Sequence, residues 1–71
     1  FMQLILNTFG LSIRRKGELF SVHVREKKVE IAAAKVDSIL ITTGVFLSSD
    51  VIQLAVENNI DLVFLDEYGR P

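Results

Sequence analysis

Residues 39–65 read ILITTGVFLSSDVIQLAVENNIDLVFL, and this stretch decides the fold. Its two apolar runs, Ile39–Ile41 and Asp61–Leu65, are typical of strands that are buried on both faces. Between them, Ser48–Asp50 predicts the start of a helix, with a serine as N-cap and an acidic residue near the positive end of the helix dipole. Asn58-Asn59 predicts its end. The stretch therefore predicts two parallel strands joined by a right-handed helical crossover.

The first half of the chain has a different pattern. Apolar and polar residues alternate with a period of two over 11–14, 20–25 and 29–31, which indicates antiparallel strands with one face in water. Turn residues separate these strands, at Asn7–Gly10, Lys16-Gly17 and Glu26–Lys28. The predicted fold class is α+β, mainly β: antiparallel β-hairpins, the first formed by the first two strands, followed by a strand–helix–strand unit. Residues 1–71 form one β-rich domain.

The length and composition of the chain limit how much of its apolar surface the domain can bury. A chain of 71 residues buries only about 60% of the surface that it exposes when unfolded. Because 49% of the residues are hydrophobic, we expect surplus apolar surface that faces a second copy of the chain or another domain. The chain has no cysteine, which suits a reducing cytoplasm. No apolar run approaches the roughly 20 residues that span a bilayer, so we expect no membrane partner.

Charge is divided unevenly along the chain. Residues 1–36 carry a net charge of +4 and residues 37–71 a net charge of −5. The cations concentrate near two hairpin tips, at Arg14, Arg15, Lys16, Arg25, Lys27 and Lys28. Such clusters bind a phosphate backbone by counterion release without reading sequence. The alternative is that they keep the domain soluble and protect its edge strands from pairing with other chains.

Residues with catalytic chemistry are few. His23 is the single histidine and lies within a predicted strand, so we expect no catalytic triad. Its side chain is expected either to be solvated or to contact a phosphate. Ser48 and Ser49 are expected to cap a helix, and Asp66-Glu67 to form a solvated turn. Phe9, beside Gly10, either stacks on an unpaired base or folds into the core. The sequence predicts no catalytic and no metal-binding residue in this chain.

The ordered set of segments is specific even though no single one is diagnostic. These segments are 7–13, 15–18, 36–44, 45–55 and 60–66. In this order they resemble the N-terminal domain of the Cas-one family, the CRISPR-associated integrases and endonucleases that insert new spacers. The resemblance covers the chain from Met2 onward.

The resemblance implies a division of labour within a longer protein. A C-terminal helical catalytic domain, absent from this chain, would carry a glutamate, a histidine and an acidic residue that bind magnesium or manganese. That domain would join DNA ends by metal-dependent transesterification, together with a Cas-two partner protein. The N-terminal domain would contribute a homodimer contact and part of the surface for double-stranded DNA, in the cytoplasm of a prokaryote. This fragment by itself would not be catalytic.

The resemblance implies roles for only a few individual residues. Phe9 occupies a position where related proteins place a ring against a duplex end, and Arg70 matches a basic residue near the interdomain linker. The chain departs from its relatives at Leu47–Asn59, which has no cation, and at Ala32, where a proline is common. The hairpin tips are therefore expected to supply the DNA contacts. Two hypotheses compete with this one: an interaction module without nucleic acid, and a stand-alone enzyme.

Overall fold

Strands make up most of the chain in the computed structural model, which describes residues 2–42 and 44–66. Within those residues there are seven strands, one α-helix and a turn of 3-10 helix. The strands are β1 (Met2–Leu6), β2 (Ser12–Lys16), β3 (Leu19–Val24), β4 (Lys27–Ala32), β5 (Val36–Ile41), β6 (Phe46–Leu47) and β7 (Asp61–Phe64). The helix, α1, spans Ser49–Glu57, and the 3-10 turn spans Ala33–Lys35. The fold is α+β and mainly β, as the sequence predicts.

One sheet has four strands in the order β4-β3-β2-β6. Strands β2, β3 and β4 form an antiparallel meander, which confirms the hairpins predicted from their alternation. The two hairpin loops begin with Gly17 (φ 60°) and Arg25 (φ 57°), both in the left-handed region. Glycine adopts this region without a steric penalty, whereas arginine does not. The short β6 runs parallel to β2, with Phe46 opposite Ser12, a pairing that the sequence did not predict.

The other sheet is parallel, in the order β1-β5-β7. Strands β5 and β7 are parallel neighbours with α1 between them in the chain, as predicted. The predicted hairpin of β1 with β2 is wrong, because β1 pairs in parallel with β5 and Leu4 lies opposite Ile39. Consecutive apolar residues in β1, including Ile5, suit a parallel sheet better than a hairpin with one wet face. Residues 7–11 therefore connect two sheets.

Helix α1 and both sheets contribute to a single core. The largest side chains that are completely buried are Phe20, Ile13, Ile39, Leu54 and Val51. Helix α1 contacts β2 in one sheet and β7 in the other, so its buried face joins the two sheets.

A serine stands at the N-cap position of the helix, as predicted, but its side chain does not cap a backbone N–H. Ser48 stands at the N-cap position, and its hydroxyl donates to the Asp50 carboxylate at 2.5 Å rather than accepting a backbone N–H. At the other end the Asn58 side chain donates to the Leu54 carbonyl at 2.9 Å. The hydroxyl thus orients a carboxylate at the start of the helix.

Several large apolar side chains remain exposed. Ile5, Leu40 and Val63 lie opposite one another across β1, β5 and β7, on the face directed away from the core. Ile5 is 57% exposed, and Val56 of the helix and Phe46 of β6 are 69% and 68% exposed. The apolar surplus expected from composition is therefore present on the surface of the domain.

A pair of phenylalanine substitutions tests this division between core and surface. Phe20→Ala should lower the free energy of unfolding by about 3–5 kcal/mol, because it empties a fully buried site. Phe46→Ala should change it by less than about 0.5 kcal/mol, because that ring is mostly in water. Chemical denaturation followed by circular dichroism measures both values. Equal losses would contradict the burial described above.

Candidate nucleic-acid interface

Phe9 projects from the connection between β1 and β2. Its ring is 85% exposed, so the alternative in which it folds into the core is wrong. The connection is fixed by a hydrogen bond of 2.8 Å from the Gly10 amide to the Gly44 carbonyl. A Cβ atom added to Gly44, whose φ is +90°, would lie 2.5 Å from Cδ1 of Phe9. Glycine at this position therefore lets the ring rest on the backbone while its other face meets solvent.

The turn between β3 and β4 lies beside this ring's connection. Thr8 shares a cleft of about 570 Å³ with Val24, Arg25, Glu26 and Lys27. Arg25 and Lys27 are exposed, and neither forms an ion pair within residues 2–42 and 44–66. An exposed aromatic ring and two unpaired cations thus occur at one end of the domain.

Arg15, at the opposite end, is committed to contacts within the domain. Its guanidinium contacts Glu57 of α1 at 3.1 Å and Glu18 at 3.3 Å, and its Nε donates to the Gly17 carbonyl at 2.8 Å. The hydrogen bond with Glu57, followed by the attraction of both carboxylates, raises the pKa of Arg15 above its ordinary value. These contacts join the β2–β3 turn to the helix. Because they occupy the guanidinium, Arg15 is poorly placed to bind an external phosphate.

Lys16 and Lys28 share one carboxylate on the open face of the four-stranded sheet. Glu30 lies 3.0 Å from Nζ of Lys16 and 3.8 Å from Nζ of Lys28. The hydrogen bond from Lys16, with smaller contributions from the charges of both lysines, lowers the pKa of Glu30. Arg14 lies on the same face, is exposed and forms no ion pair with the described residues. Two lysines and an arginine therefore face one glutamate here.

His23 lies on this open face as well. One of its ring nitrogens, Nε2, is 2.9 Å from the hydroxyl of Ser21, which is buried. The ring is half-buried, and the contact with Ser21 supplies neither a nucleophile exposed to substrate nor an orienting carboxylate. Both interpretations of His23 that the sequence left open are compatible with this position.

The residues proposed from sequence thus form three groups. Phe9, Arg25 and Lys27 lie at one end, Arg14, Lys16 and Lys28 lie on the open sheet face, and Arg15 lies in the ion pairs at the other end. Arg70 is outside the described residues. Sequence reasoning missed Phe46, because a two-residue strand gives no periodic signal.

Clusters of metal ligands and membrane-spanning helices are both absent from the described residues. Residues 2–42 and 44–66 contain no group of three or more His, Asp or Glu side chains that could hold a metal ion. No helix in these residues is long and apolar enough to cross a membrane.

Sequence comparison gives a family match over nearly the whole chain. The family model described as CRISPR associated protein Cas1 matches residues 4–71. CRISPR-associated endonuclease Cas1 2 of Saccharolobus solfataricus is 31% identical over 68 residues. That alignment covers 96% of this chain but 22% of the relative, so the chain spans about a fifth of the length of that protein.

Solved structures share the fold at low sequence identity. A Cas1 protein from Thermotoga maritima superposes with a TM-score of 0.78 at 16% identity, covering 94% of this chain and 21% of its own. A complex of TtCas1 with DNA gives 0.77 at 12% identity, covering 90% and 22%. A casposase bound to its integration product gives 0.73 at 17% identity, covering 94% and 23%.

Two neighbouring arginines provide a test of the assigned contacts. Arg15→Gln should lower the melting temperature, because it removes the link between the β2–β3 turn and α1. Arg14→Gln is the matched control and should leave the melting temperature unchanged, since Arg14 is exposed and unpaired. Thermal unfolding at low salt measures both. The reverse order would show that Arg15 is not the structural contact.

The lysine contacts of Glu30 predict a pH dependence. Because its pKa is lowered in the folded state, Glu30 stabilises the domain above the unfolded value of 4.5, and this contribution is lost as pH falls below 4.5. The stability difference between the wild type and Glu30→Gln should therefore be largest near neutral pH and shrink toward pH 3. Lys16→Gln, which removes the main cause, should reduce that difference. A difference that stays constant down to pH 3 would contradict the assignment.

Proposed function

The chain belongs to the CRISPR-associated Cas1 family, and we propose that it is the N-terminal domain of an adaptation integrase, in which it pairs two subunits and positions double-stranded DNA. The family match over residues 4–71 supports this proposal. The observation that carries the DNA role is Phe9, which is 85% exposed, rests on Gly44 and follows Thr8, a residue that lines one cleft with Arg25 and Lys27.

The proposed DNA contact combines stacking with charge. The outer face of the Phe9 ring stacks on the last base pair of a duplex, an interaction that tolerates any sequence. Arg25 and Lys27 bind phosphates near that end and release counterions. The short loop and the Gly10–Gly44 hydrogen bond hold the backbone beside the ring in place before DNA arrives, so little backbone ordering entropy is lost on binding.

Catalysis is assigned to another part of the polypeptide. We propose that a helical C-terminal domain binds magnesium or manganese and carries out the transesterification or hydrolysis of DNA. The described residues here do not fit a metal site, since they include no cluster of three potential ligands. In this proposal the full-length enzyme also binds a Cas2 partner and acts in the cytoplasm of a prokaryote.

Homodimerisation through this domain is part of the same proposal. The row of Ile5, Leu40 and Val63 on the outer face of the parallel sheet supports it, with Ile5 57% exposed. Parallel sheets are usually covered on both faces, and within the described residues this face has no cover. A second subunit would remove this apolar area from water.

Duplexes with and without free ends test the role of Phe9 in the full-length protein. Phe9→Ala should weaken binding to a short open-ended duplex by about 5- to 150-fold, the equivalent of a stacking energy of about 1–3 kcal/mol. It should not weaken binding to a dumbbell duplex whose ends are closed by polyethylene glycol linkers, which contain no unpaired base. Fluorescence anisotropy measures both affinities. Equal effects on the two DNAs would contradict an end contact.

The salt dependence of binding tests the cations at the same end. Arg25→Gln combined with Lys27→Gln should weaken binding to both duplexes and reduce the slope of log K against log salt by about 0.9 per lost phosphate contact. Lys35→Gln, which removes an exposed cation from the 3-10 turn, is the control and should have no effect. If neither Phe9 nor these cations mattered, the interaction module without nucleic acid would be favoured.

A further inference from the structure

The open face of the four-stranded sheet carries an aromatic ring that the described residues leave largely uncovered. Phe46 is 68% exposed, although its neighbours Val45 and Leu47 pack against the core. Its backbone is fixed, because its amide donates to the Leu11 carbonyl at 2.8 Å and it lies opposite Ser12 in β2. A ring on a paired strand offers its π-face without first having to be ordered.

Polar residues from the other strands continue the row that begins at Phe46. The register aligns Phe46, Ser12, His23 and Lys28 across β6, β2, β3 and β4 on this face. Four strands span three strand spacings, about 14 Å in all. The row therefore runs from an aromatic ring, past a hydroxyl and an imidazole, to a cation.

The charges beside this row are suited to a phosphate backbone. Arg14 is exposed and forms no ion pair with the described residues, and Lys16 and Lys28 share the single carboxylate of Glu30. The sheet face therefore keeps positive charge after its internal ion pairs are formed. Phosphates attract such cations whatever the base sequence.

A cleft beside the ring has the size and polarity of a nucleobase site. It is an open cleft of about 430 Å³ between β2 and β6, and its lining includes Arg14, Arg15, Phe46, Ser48 and Asp50. This volume lies within the range of small-ligand pockets, roughly 300–1,000 Å³. Because the Ser48 hydroxyl donates to Oδ1 of Asp50, the carboxylate is oriented and Oδ2 remains as an acceptor. A carboxylate repels phosphate but accepts a hydrogen bond from an amino group.

We infer that this face binds an unpaired nucleotide of a DNA strand, with the base stacked on Phe46 in the cleft and the backbone running past Arg14 toward Lys28. Asp50 accepts a hydrogen bond from the exocyclic amino group of the base, as at N4 of cytosine. A base inside a duplex is already stacked on both faces, so an unpaired base is required. The inference rests on the proposed function, because both take DNA as the partner. The two contacts use different rings, Phe46 for the unpaired base and Phe9 for the duplex end.

Single-stranded oligonucleotides test this site in the full-length protein, with metal removed by EDTA so that DNA is not cleaved. Phe46→Ala should weaken binding of a short labelled oligo(dC) by about 5- to 150-fold in fluorescence anisotropy. Phe46→Tyr keeps a ring and should bind within about twofold of the wild type. Phe64→Ala, which removes a half-exposed ring from the other sheet, is the matched control and should leave oligo(dC) affinity unchanged. The dumbbell duplex should bind all of these variants equally.

The outcomes separate this site from the proposed duplex contact. If Phe46→Ala binds oligo(dC) as tightly as the wild type does, the proposed site is wrong. If Phe46→Ala loses as much affinity for the dumbbell duplex as for oligo(dC), the site is not restricted to unpaired bases. Oligo(dT), which presents a carbonyl where cytosine has its amino group, should bind more weakly than oligo(dC), and Asp50→Asn should remove the difference. Equal affinities in the wild type overturn the role of Asp50. If Phe9→Ala has no effect while Phe46→Ala does, only the duplex-end contact fails.

Discussion

The burial of one face of α1 against both sheets is the contact on which the rest of the fold depends. Val51, Leu54 and Ala55 are completely buried, and the helix contacts β2 in the four-stranded sheet and β7 in the parallel sheet. Two small sheets expose too much apolar surface to be stable separately. The helix supplies the shared core, and the ion pair of Arg15 with Glu57 adds a polar contact at its C-terminal end.

The connections between the sheets then determine where function can lie. Because β1 and β2 belong to different sheets, the residues between them must cross from one sheet to the other, and the loop around Gly44 crosses in the same region. The hydrogen bond from Gly10 to Gly44 ties these crossings together. Phe9 emerges at that junction and Phe46 emerges where the second crossing joins β2. Both exposed rings therefore lie where the chain passes from the parallel sheet to the four-stranded sheet.

Sequence predicted the elements that local pattern determines. Alternation specified the β2–β4 meander, and a helical pattern between apolar runs specified β5–α1–β7. The partner of β1 could not be predicted, because its pairing with β5 joins residues more than thirty positions apart, and the consecutive apolar residues of β1 favour a parallel sheet without identifying the neighbouring strand. The site was harder to predict. Arg14 and Arg15 are adjacent and look equivalent in sequence, yet strand geometry sends their side chains to opposite faces, where Arg15 meets Glu57 and Arg14 meets solvent.

The backbone conformation of Arg25 independently favours a functional site at the end of the domain that carries Phe9. A non-glycine residue in the left-handed region costs about 1–2 kcal/mol, and glycine would fill the same loop without that cost. The equivalent loop position between β2 and β3 does hold glycine, at Gly17 with φ 60°. Stability alone therefore favours glycine at both positions. Strained residues of this kind concentrate at functional sites, where the side chain justifies the strain. Arg25 is a cation kept at a strained turn and forms no ion pair with the described residues, so it is best explained by a ligand that needs its charge.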